Sequence, residues 1–210
     1  MNSRFSEPRT DLAADIRTVA GAFRMLFLLA LGVVVLFLIF RWDASCEHPF
    51  VEEGPPEIFQ TLLLLACTSI FFIEARRNES MRGAMLLAGG FFGCMLIREQ
   101  DYYLDMISHG CWKWPAIALA LCCTAAAART PRATLAGLAA FVRRRYFPML
   151  LTGVVIVLVY SRLFGMGSLW NMLLPDVDDR AAKNAIEESS ELLGYLLIFA
   201  STLLMRSGKS

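Results

Sequence analysis

Phe23 to Phe40, FRMLFLLALGVVVLFLIF, is eighteen residues long with Arg24 as its only charge, and its reading decides the fold. As a helix rising 1.5 Å per residue it covers about 27 Å, close to the ~30 Å of hydrocarbon in a bilayer. The run is longer than the roughly 7–15 residues of a signal-peptide core and no small-residue A-x-A site follows it, so it reads as a retained first membrane span. Five more apolar runs follow. Pro55 and Pro56 suit the first turn of a second span containing Ile58 to Ile73. A third runs from about Met81 to Ile97, a fourth from Pro115 to Ala128, a fifth from Tyr146 to Phe164 and a sixth over Leu192 to Met205.

Composition agrees with this reading. Hydrophobic residues make up 57% of the 210 positions and mean hydropathy is +0.53, against roughly 45–50% apolar residues in a soluble domain. The fold class is therefore all-α, a polytopic membrane helix bundle of about six spans with the lipid bilayer as its first partner. A formal net charge of +1 excludes the strongly basic balance of nucleic-acid binding.

Charge segregation sets the orientation. Fourteen of the 20 Lys and Arg fall at the N-terminus, Glu74 to Arg82, Arg129 to Arg145 and the C-terminal tail. By the positive-inside rule both termini are cytoplasmic. The domains are a cytoplasmic segment over 1–22, able to form a short surface helix, a six-span domain over 23–206 and a cytoplasmic tail over 207–210. Arg41, Trp42 and Asp43 read as interface anchors of span one, and the arginine-rich segment after Pro131 as an amphipathic surface helix. Gly89, Gly90 and Gly93 would let span three approach its neighbours closely. Cys46 and Cys111 lie on the non-cytoplasmic side, where an oxidising compartment would permit a disulfide; the alternative is two free thiols.

Fourteen of the 19 acids lie on the non-cytoplasmic side, and acids do little to set orientation. Span lengths suggest why they are there. Leu192 to Met205 covers only about 21 Å, so its helix must extend upstream, drawing in Glu187, Glu188 and Glu191 from an Asn184 helix-start pattern. Span two similarly draws in Glu57, and span three Arg98 and Glu99. Lone charges near hydrocarbon face the bundle interior and need partners. The candidate polar cluster is Glu57, Arg98, Glu99, Asp101, Glu188 and Glu191, with Asp105, His109, Arg162 and Tyr195 behind them. Helix-dipole preference alone would place acids at the N-terminal ends of spans two and six. It does not account for Glu99 and Asp101 at the C-terminal end of span three.

Within Arg98 to His109, REQDYYLDMISH, a continuous helix would put Arg98, Asp101, Asp105 and His109 on one stripe. Asp101, Asp105 and His109 are the weak metal candidates of that stripe. Two histidines and no Glu-x-x-His pair fall short of zinc or di-iron patterns, so no metal or cofactor is assigned. Three function classes stay open. They are a membrane-embedded enzyme acting on a lipid or envelope substrate through paired carboxylates, an ion- or proton-coupled transporter, and a structural or regulatory subunit with an envelope protein partner.

The phrases EEGPPEIFQ, IREQDYYLD and EESSELLGYLLIF together resemble a pattern that recurs in small multi-pass bacterial inner-membrane proteins with no assigned activity. That resemblance implies a bacterial inner-membrane location and the pairing of spans two, three and six. In architecture alone the chain also resembles multi-span hydrolases with an outward polar site, without their three-histidine metal pattern.

Overall fold

A computed structural model describes residues 12–43, 45, 54–173 and 180–207, and all regular structure among them is helical. The chain divides between Val35 and Leu36 into two compact units. The described part of the first belongs to α1, Leu12–Asp43, whose side chains are mostly exposed. No break separates a surface helix from span one, because nothing around Thr18 to Ala22 stops a helix; Gly21 merely weakens it. The continuous helix is about 48 Å long.

The second unit holds the packed bundle. Its first full helix, α2 (Pro55–Arg77), begins with proline in its first turn and Glu57 beside it. A 3₁₀ turn, Glu79–Met81, leads into α3, Arg82–Glu99. The short α4, Asp101–Asp105, follows after a break at Gln100. α5 (Lys113–Ala128) packs along α3 and returns the chain to α6, Pro131–Val142. There α6 rests on the Glu79–Met81 turn through Gly137 and on the start of α3 through Thr134, and its other face is exposed. The next membrane-length element is α7 (Phe147–Val155), a π segment (Ile156–Tyr160) and α8 (Ser161–Phe164), followed by α9, Gly167–Leu173. Trp170 Nε1 donates to the Phe164 carbonyl at 2.7 Å and ties α9 to the end of α8.

The last helix, α10 (Arg180–Ser207), starts four residues ahead of the expected Asn184, because Arg-Ala-Ala-Lys favours helix. It packs against α2 and α7, while α2 packs against α3. Phe71 of α2 stacks on Phe92 at 5.4 Å and meets Phe141 edge-on at 5.9 Å, joining α2, α3 and α6 in the core. Close approach depends on glycine where the sequence suggested it. A methyl group at Gly90 would lie 2.8 Å from Cys123 Cβ, and one at Gly93 2.6 Å from Leu119 Cδ2.

Among the described residues, five helices are long and apolar enough to cross a membrane, which is compatible with a multi-pass membrane protein. Lys113–Ala128 is shorter, at 16 residues.

Candidate functional site

The side chains that converge lie at the acid-rich end of the bundle, where α2, α3, α8 and α10 come together. α10 presents Glu187, Glu191 and Tyr195 in successive turns, the spacing that stacks side chains on one helix face, with Glu188 beside Glu187. Glu191 is 6% exposed and Tyr195 1% exposed. A carboxylate and a phenol buried that deeply require partners, since an unsatisfied one costs several times the net worth of a hydrogen bond.

Both have them. The Tyr195 hydroxyl donates to Glu99 Oε1 at 2.8 Å, linking α10 to the end of α3. Arg162 of α8 forks between two acids one turn apart, donating from Nη1 to Glu187 Oε1 at 2.9 Å and from Nη2 to Glu191 Oε1. Ser161 Oγ lies 3.3 Å from Glu191 Oε1 and 2.6 Å from the Val157 carbonyl, so its single proton serves one of them at a time. Glu99 stands within electrostatic range of Arg98, Arg162 and Asp101, and Glu191 within range of Glu99. The result is two bonded groups, Glu99–Tyr195 and Arg162–Glu191–Ser161, within electrostatic range of each other and with carboxylates in excess of cations.

Two backbone features aim these groups. The π segment Ile156–Tyr160 immediately precedes Ser161 and Arg162. Its wider turn changes the angle at which they leave the helix, and such segments are frequent at functional sites. Just before it, α7 and α10 touch backbone to backbone: a methyl group at Gly153 would lie 2.7 Å from the Gly194 carbonyl oxygen. Gly165 leaves room for Glu187, whose carboxylate any Cβ there would strike.

The remaining expected residues are distributed around this network. Glu188 is half-buried and lies in electrostatic range of Glu57, Glu191 and Asp43. Gln60 Nε2 reaches the Glu188 backbone carbonyl at 3.5 Å. Arg98 is half-buried and its guanidinium makes no hydrogen bond or ion pair among the described residues, and Asp101 is exposed. The anticipated stripe from Arg98 to His109 does not form as one helix, because Gln100 breaks it while its side chain bonds Thr61 Oγ1 at 2.9 Å. Asp105 and His109 keep their own pair, 3.1 Å apart, and Asp105 also accepts from the Gly110 amide at 2.8 Å. Asp101 does not join them. Among the described residues no group of three or more His, Cys, Asp or Glu side chains is placed to hold a metal ion. Cys46 lies outside the described residues, and with it the expected pairing to Cys111.

Ser161 and Gln60 belong to this region without having been singled out, and Asp43 belongs to it in another role than expected. Asp43, read as an interface anchor, is 2% exposed. A signal for it existed, since it closes an apolar helix as Glu99 does. Ser161 and Gln60 carry no charge to mark them.

Fold and site together define an all-helical chain, apolar enough for several membrane crossings, with a buried Glu–Tyr and Glu–Arg–Ser network at one end. No protein-family model, curated protein or solved structure matches the chain.

Proposed function

We propose that this chain is a six-span protein of the bacterial inner membrane, with both termini cytoplasmic, that acts as an acid–base enzyme on a lipid or other envelope substrate at its extracytoplasmic face. The observation that carries this reading is the unequal partnering of two neighbouring carboxylates. Glu191 is fixed by Arg162 and Ser161. Glu99 accepts only from Tyr195, through Oε1, and its second oxygen takes no hydrogen bond among the described residues. A pair of carboxyl groups in different environments is how one site divides acid and base work. Glu99 is the group that exchanges a proton with substrate, and the Arg162–Glu191 pair is the fixed charge that orients it.

The six-span orientation is supported by α6 resting on the Glu79–Met81 turn, which requires α5 to run back to the end where α3 began. The basic segments then gather on one side. The likeness of EEGPPEIFQ, IREQDYYLD and EESSELLGYLLIF to small bacterial inner-membrane proteins supports the location.

The test is complementation of a deletion strain, with lipid and envelope extracts compared by mass spectrometry. Glu99→Gln should accumulate in the membrane like the native protein, fail to complement and leave a substrate species in excess. Asp105→Asn, whose ion-pair partner His109 is fully exposed, should complement. Full complementation by Glu99→Gln rules the enzyme reading out. Proton-coupled transport is the second reading, favoured by Thr68, whose hydroxyl is buried in the middle of α2 with no hydrogen-bond partner among the described residues. Proton flux in proteoliposomes that Glu99→Gln abolishes would select it.

A further inference from the structure

At the other end of the bundle, away from the carboxylate network, a cavity of about 80 Å³ lies between α2, α6 and α10. Phe71 and Phe141 form its apolar floor, and Glu74, Asn78, Arg144 and Arg206 its polar mouth. The arginines carry the inference. Arg144 is half-buried, yet it has no carboxylate partner among the described residues; it donates from Nη1 to the Met205 carbonyl at 3.1 Å and rests Nη2 on Met81 Sδ at 3.4 Å. A guanidinium offers five donors. Arg144 thus has donors to spare, held in a fixed direction by two neutral acceptors. Among the described residues Arg206 meets Glu74 only through Nε, at 3.5 Å, and neither Nη group has an acceptor there.

A half-buried cation without an anion is costly, and planar guanidinium groups favour bidentate phosphate oxygens. A cavity of about 80 Å³ is far too small for a whole phospholipid, so only part of such a ligand enters. An apolar floor beneath a basic mouth at the end of a membrane-length bundle suits a ligand whose remainder stays in the bilayer. We propose that this cavity takes the phosphate of an anionic phospholipid, held by Arg144 and Arg206 with the adjoining glycerol carbons over Phe71 and Phe141.

The experiment uses the full chain in nanodiscs of phosphatidylcholine with a minor fraction of phosphatidylglycerol, and counts retained lipids by native mass spectrometry. Phosphatidylglycerol should be enriched on the native protein, and Arg206→Gln and Arg144→Gln should each lower that enrichment roughly fivefold, the effect of about 1 kcal/mol per arginine. Arg132→Gln, on the exposed face of α6, should leave it unchanged. Arg144 also caps α10, so Arg206→Gln decides the question if the Arg144 variant does not fold. Equal enrichment in the native, Arg206→Gln and Arg132→Gln proteins overturns the proposal, as does an equal loss in Arg132→Gln. Inorganic phosphate is the second arm. Displacement of the lipid by millimolar phosphate would assign the site to a free anion and overturn its lipid source, whereas retention of the lipid in phosphate supports it.

Discussion

Tyr195 shows how one atom holds two helices together. Its hydroxyl is the only hydrogen-bond donor that reaches Glu99 among the described residues. Tyr195→Phe removes it without changing shape, so the loss is that of one bond to a buried acid, about 2 kcal/mol. Thermal unfolding in detergent should show that loss, and the Tyr195→Phe and Glu99→Gln effects should be clearly non-additive, as they share one contact. Additive effects would separate the two residues. Glu191→Ala leaves Arg162 with Glu187 alone; because Arg162 is 41% exposed at its side chain, the cost should be about 2 kcal/mol rather than the 3–5 of a fully buried pair. Glu99, Glu191, Arg162 and Tyr195 were legible in the sequence because charge beside an apolar run demands a partner. Which of them meet was not legible, since the partners lie as far as 96 residues apart along the chain.

At the level of elements, the contact between α7 and α10 depends on Gly153 and Gly194 lying backbone to backbone. Gly194→Ala places a methyl group 2.9 Å from the Gly153 carbonyl oxygen, and overpacking of this kind costs about 1–3 kcal/mol. It should lower the melting temperature and weaken complementation together, because the same displacement draws Arg162 off Glu191. Gly21→Ala, with nothing within 4 Å of the new methyl, should instead be neutral or stabilising, as expected for alanine in a helix. Helix ends marked by proline, as at Pro55 and Pro131, were legible directly. The break at Gln100 and the π segment at Ile156–Tyr160 were not, since neither contains Gly or Pro to mark it.

Across the whole molecule, polarity gathers at two ends, acids around Glu99 and Glu191 and bases around Arg144 and Arg206. Hydropathy and charge counting revealed that separation, because both depend only on composition along the chain. Impermeant maleimide labelling of single-cysteine variants in intact cells reads it directly. With the native cysteines replaced, Ser45→Cys should label from outside, and Arg129→Cys only after permeabilisation. Labelling of both without permeabilisation would mean that Lys113–Ala128 does not cross. The last helix serves both ends: Gln60 reaches the Glu188 carbonyl, Glu99 receives Tyr195, Arg162 meets Glu187 and Glu191, and Arg144 caps Met205. Every one of these partners is translated after residue 180. During synthesis, four polar groups already committed to earlier helices await α10, so a ribosome that stalls before it, or a truncation that removes it, leaves a nascent chain uncompensated at both membrane faces and open to membrane proteases.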